Sequence, residues 1–155
     1  MIEIPLGKIR VPFGNANDSE RLRTLVGNEP CAIDLDLDRF PRLGKLPEGV
    51  EVEEELFVIN YEERFPNNNA VAKRHQDEGF IPKSIFHLIA MGDSVPELWK
   101  QRVVYVEAGD SRSFWLDSDG GLYVPYRDCD PGFRWLYACW VEDDRGECDW
   151  FLVGK

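Results

Sequence analysis

Asp34, Asp36 and Asp38 occupy alternate positions in "CAIDLDLDRF" and form a row of three carboxylates. On a strand such neighbours share one face and stand about 7 Å apart. A calcium site needs six to eight oxygens gathered within about 2.6 Å of one point, usually from a looped backbone. A straight strand spreads the carboxylates too widely for that. The row therefore reads as a solvated strand face, or as part of a surface that docks a positive partner. In "WLDSDGGLYV", Asp117-Ser118-Asp119-Gly120 begins like a calcium loop but lacks the later acidic ligands, so a hairpin turn is expected.

His75 and His87 are the only imidazoles, twelve residues apart on two expected helices, and form no metal pair. His75, in "KRHQDE", reads as a polar helical face exposed to solvent. His87, in "SIFHLIAMG", reads as partly buried and hydrogen-bonded. A Ser84–His87–Asp93 relay can be written, yet triads are recognised by geometry and no G-x-S-x-G elbow accompanies it. Cys129 lies between two aspartates, which would raise a thiol's pKa and blunt its reactivity. Cys139 and Cys148 flank an expected hairpin and could reach each other. Without an export signal, buried thiols are the better reading for the four cysteines. The glycines make no phosphate cradle, so no cofactor and no metal are implied.

Aromatic side chains crowd the last strands. Phe133, Trp135 and Tyr137 alternate onto one face, Leu136 and Trp140 go to the other, and Trp150 and Phe151 lie on the expected partner strand. Both sheet faces are then substantially apolar, and the second must be covered or must bind something. Trp135, Trp140 and Trp150, with Asp34, Asp36 and Asp38, are the candidate partner-binding residues.

The elements that hold these residues follow from periodicity. "MIEIPLGKIRVPF" alternates Ile2/Ile4 and Ile9/Val11/Phe13 around Pro5-Leu6-Gly7, which predicts a small hairpin or two short strands. A helix is expected from Asn17 to Gly27, a half-buried strand over 33–38, a mobile loop over 41–55 and a strand around Leu56 to Tyr61. Helices follow at about 70–77, from Pro82 in the first turn to Gly92 as terminator, and briefly from Ser94. Five strand-like runs with short turns close the chain, too tightly connected for parallel crossovers. The expected architecture is a single α+β domain over 1–155. Its N-terminal and middle helices would cover one face of a mainly antiparallel C-terminal sheet, a five-strand meander.

The 155 residues carry 18 Lys and Arg against 29 Asp and Glu, a net charge of −11 spread along the whole chain. That sign opposes binding to nucleic acid and anionic membranes and favours a basic protein partner. No apolar run approaches a membrane span and no signal peptide is visible, so a cytoplasmic location is expected. From Phe80 onward the order helix, strand ending "EAGD", strand, "DSDGGLYV" loosely resembles the SUKH group of immunity proteins. The resemblance covers under half of the chain and assigns no family.

The leading expectation is a non-enzymatic acidic protein-binding domain of the immunity or inhibitor type, occluding a basic partner. The alternatives are a domain or enzyme with an aromatic-lined pocket for a sugar or nucleobase, and a nucleic-acid mimic. A homodimer stays open, because it would cover the second sheet face.

Overall fold

The computed structural model describes residues 1–12, 51–99, 101–106, 115–116, 120–127 and 136–155. The strands are β1 (Ile2–Pro12), β2 (Glu51–Asn60), β3 (Ile81–Pro82), β4 (Val104–Tyr105), β5 (Trp115–Leu116), β6 (Leu122–Arg127), β7 (Leu136–Trp140) and β8 (Trp150–Gly154). Two helices, α1 (Asn68–Glu78) and α2 (Ile85–Ser94), are followed by one helical turn, α3 (Pro96–Trp99). The expected helix at 17–27, the aspartate strand at 33–38, most of the 41–55 loop, the Asp117–Asp119 turn and Cys129 lie outside the described residues.

One mostly antiparallel eight-stranded sheet holds every strand among the described residues, with the path β1-β2-β8-β4-β6-β5; β3 also pairs with β8 and β7 with β6. This is an α+β architecture, but the meander expected of the C-terminal half is replaced by a different order. β4 runs parallel to β8, with Val104 opposite Trp150 and Tyr105 opposite Phe151. β5, β6 and β7 are antiparallel neighbours, as expected of that half. The parallel pair arises because that whole excursion intervenes before the chain returns beside β4.

The N-terminal segment is one strand, not a hairpin. Its register against β2 shifts between Pro5 and Gly7, where Gly7 takes φ +76°. A bulge inserts one residue and inverts the alternation beyond it. Ile4 and Leu6 before the bulge, and Ile9 and Val11 after it, thus reach the same core. The two alternations visible in the sequence are two phases of one strand.

β2 explains how the sheet is covered. Its first half alternates, and Leu56 to Asn60 are all buried. Leu56 and Val58 join Ile9, Val104 and Leu152 beneath Ile85, Phe86, Leu88, Ile89 and Met91 of α2. Phe57 and Ile59 point the other way and join Phe65, Tyr105, Phe151 and Val153 beneath Val71 of α1. The helices therefore cover opposite faces at the sheet's centre, where one covered face had been expected. On the α1 side Tyr61, Phe65, Phe80, Tyr105 and Phe151 form an aromatic cluster.

α1 starts where the Asn67 side chain accepts a hydrogen bond from the Ala70 N–H at 3.0 Å, and stops at Gly79, which takes the left-handed φ of 76°. Its buried stripe is Asn68, Val71 and His75. Pro82 belongs to β3, and α2 begins only after Ser84, its N-cap. Gly92 does not close α2 but sits inside it, where the buried Arg127 guanidinium packs against the glycine backbone. No helix among the described residues is long and apolar enough to cross a membrane.

Candidate functional site

The connection from β7 to β8, "WVEDDRGECDW" from Trp140 to Trp150, combines exposed charge with an unusually firm internal frame. Arg145 is fully buried at its centre, although its neighbours are hydrophilic. Its guanidinium donates to the carbonyls of Asp143 at 2.7 Å, Asp144 at 3.4 Å and Trp140 at 3.4 Å. The same group lies 4.9 Å from the Tyr105 ring centroid. Charge-assisted bonds to carbonyls, plus an aromatic face, are what a buried guanidinium requires.

The backbone is tied down as well. Arg145 and Phe65 exchange N–H···O bonds of 2.8 and 3.0 Å, and the Asn68 N–H donates to the Val141 carbonyl at 2.8 Å. The Asn60 amide donates to the carbonyls of Glu147 and Asp149, both at 2.9 Å. The Gly146 N–H donates to Asp149 Oδ2 at 2.7 Å. Burial raises the Asp149 carboxyl above its ordinary value, against the opposing pull of the Gly146 N–H and Arg145.

On this frame Glu142, Asp143, Asp144 and Glu147 stand exposed, and Trp140 keeps 46% of its surface in solvent. Arg64 approaches Asp144 at 3.9 Å, both largely in water, so the pair neutralises little. The outcome is one accessible tryptophan beside a rigid group of carboxylates.

Of the candidate residues read from the sequence, Trp140 belongs to this surface. Trp150 does not: it is half-buried against the α2-side core, with the Arg102 guanidinium 4.9 Å from its ring. Asp34, Asp36, Asp38 and Trp135 lie outside the described residues. The carboxylates from 142 to 147 are not among the candidates read from the sequence, which places only a hairpin between Cys139 and Cys148. The available signal was a lone arginine inside an acidic turn. Cys139 and Cys148 are not joined in a disulfide, and Cys148 is exposed, contrary to the expectation of buried thiols. The Cys139 thiol contacts Asp143 Oδ2 at 3.5 Å.

The histidines divide. His75, expected on the surface, is fully buried and packs edge-on against Phe80 and Phe151. Its Nδ1 shares a 2.8 Å hydrogen bond with the Tyr61 hydroxyl, while its Nε2 is buried without a partner. Burial lowers its pKa to about 4, which keeps the ring neutral. His87 is buried and hydrogen-bonded, as read. Its Nδ1 lies 2.8 Å from Ser84 Oγ and 3.1 Å from the Ser84 N–H, and its Nε2 lies 3.2 Å from Glu54 Oε2. Burial lowers its pKa to about 4 despite the upward pull of Glu54. The Lys83 ammonium sits 2.7 Å from the same Glu54 oxygen. Burial pushes the Glu54 carboxyl up, but the Lys83 hydrogen bond helps to bring it net below its ordinary value.

An open groove of about 500 Å³ runs along the outer side of α1, between Asn69, Lys73 and Gln76 and the Phe80–Pro82 segment. Neither tryptophan nor carboxylate lines it. Among the described residues no group of three or more His, Cys, Asp or Glu side chains is placed to hold a metal ion. No family model matches this chain, and neither a curated protein nor a solved structure does.

Proposed function

We propose that the chain is an acidic protein-binding domain of the immunity or inhibitor type, which docks a basic partner through Trp140 and the carboxylates of the β7–β8 turn and occludes it. The observation that carries this reading is the exposed Trp140 beside Glu142, Asp143 and Asp144 on a backbone fixed by buried Arg145. Protein interfaces draw most of their affinity from a few desolvated anchors, with tryptophan foremost, inside a polar rim. A rigid turn loses little freedom on docking, so more of the contact energy appears as affinity. The net charge of −11 adds long-range attraction that speeds encounter with a basic surface.

The test is capture of partners from host lysate by the tagged chain, at low and high salt, alongside Trp140→Ala and an Asp143→Lys/Asp144→Lys variant. A stoichiometric basic partner that binds the parent chain, weakens with salt, and loses at least about tenfold in affinity with Trp140→Ala supports the reading. A partner retained equally by all three proteins removes it from this turn.

A further inference from the structure

The hydrogen bonds around His87 fix where its protons sit. A backbone N–H can only donate, so the 3.1 Å contact from the Ser84 N–H requires a lone pair on Nδ1 of the neutral ring. The ring proton is then on Nε2, which donates to Glu54 Oε2 at 3.2 Å. With no proton on Nδ1, the 2.8 Å contact with Ser84 Oγ is a hydroxyl donating to the imidazole, and it shares the single Nδ1 lone pair with the Ser84 N–H. Serine, base and carboxylate thus stand in the order and protonation state of a nucleophilic triad, with the two ring nitrogens exchanged relative to the usual layout. A helix cap explains the Ser84–His87 half of this chain. It does not call for Glu54, which reaches the outer nitrogen from β2, thirty-three positions earlier in the sequence.

Access and field are suited to the same use. Ser84 is partly exposed while His87 is buried, so the residue that carries the hydroxyl lies nearer solvent than the base. Ser84 caps a ten-residue helix, whose positive end favours negative charge developing beside it. Lys83, on the same Glu54 oxygen that His87 contacts, holds that carboxylate ionised and in place.

We propose that Ser84 is a nucleophile that accepts acyl groups from activated carboxylic esters, with His87 as its base and Glu54 as the positioning residue. Ser84 Oγ attacks the ester carbonyl carbon while its proton passes to His87 Nδ1. The tetrahedral oxyanion collapses, the carbon–alkoxy bond breaks, and the leaving alkoxide takes the proton back from His87. Water, activated by the same nitrogen, then cleaves the acyl-serine to a carboxylic acid and restores the hydroxyl. This goes beyond the docking reading and does not rest on it; the sequence alone had pointed away from catalysis.

The experiment treats the intact chain with a fluorophosphonate ester, in which Ser84 Oγ displaces fluoride, and locates the adduct by mass spectrometry. The expected result is a single adduct on Ser84, absent from Ser84→Ala and formed roughly a hundredfold more slowly in His87→Gln. In Glu54→Gln the acid limb of the labelling rate should move to lower pH, because the lost carboxylate had held the ring's proton affinity up. A limb that Glu54→Gln leaves in place overturns the positioning role of Glu54. An unlabelled parent chain overturns the proposal without recourse to any variant, and so does labelling that His87→Gln leaves unchanged in a folded protein.

Discussion

Arg145 shows how one side chain organises a surface it never reaches. Replacing it with alanine removes a buried charge, takes the guanidinium donor from the Asp143 carbonyl, leaves the Trp140 carbonyl only the Asp143 N–H at 3.1 Å, and empties the space over Tyr105. The expected loss of stability is about 3 kcal/mol or more, read from urea unfolding. A loss under about 1 kcal/mol would mean that the turn holds itself without the guanidinium. Tyr61→Phe is a milder probe at His75: with Nε2 already lacking a partner, losing the 2.8 Å bond at Nδ1 should cost about 1–3 kcal/mol. An unchanged unfolding midpoint would show that the ring tolerates complete lack of partners. Only part of this was legible beforehand. His87 lies in an apolar run and its burial follows from its neighbours. His75 sits among charged residues, and its burial follows only from the aromatic face that α1 happens to meet. Arg145 was hidden for the same reason, since its carbonyl partners and Tyr105 converge only after folding.

At the level of elements, phase information survived better than connectivity. The alternation in residues 2–11 was visible and correctly apolar, but a bulge and a turn leave the same gap in a hydrophobic pattern. The helices at 68–78 and 85–94 were announced by Asn67, Gly79 and the apolar run after Ser84. The parallel pairing of β4 with β8 depends on contacts across the whole C-terminal half and leaves no local trace. Glycine substitutions test the element packing. A methyl group at Gly92 would be driven into the buried Arg127 guanidinium, so Gly92→Ala should cost about 1–3 kcal/mol although alanine favours a helix. At Gly154 the obstacle is the end of the partly exposed Lys83 side chain, so Gly154→Ala should cost less, mainly by disturbing the Lys83–Glu54 pair. Chemical denaturation of both variants checks the order, and the reverse order would refute this account of α2 against the sheet.

For the molecule as a whole, acid should be the weak point. His75 and His87 titrate near about 4 in the fold, against an ordinary value of 6.5. Between those values the unfolded chain binds protons that the folded one refuses. Their contribution is therefore complete above pH 6.5 and is lost as pH falls toward 4, by up to about 1.4 kcal/mol per pH unit for each ring. Glu54, whose carboxyl is lowered, adds a loss of the same sign in stronger acid; Asp149, whose carboxyl is raised, works against it. Unfolding midpoints measured from pH 7 to 4 should fall steeply, and a flat profile would mean that neither ring is as buried as it stands. β8 gives the molecule one further property, which concerns its birth on the ribosome. This strand pairs with β2, β3 and β4, so it joins both halves of the sheet, yet it spans residues 150–154. Until those residues leave the exit tunnel, β2 and β4 have no strand between them and their apolar faces stay open. From the emergence of β2 until that of β8 the nascent chain therefore carries an unclosed central layer, which suits it to chaperones that bind emerging hydrophobic segments.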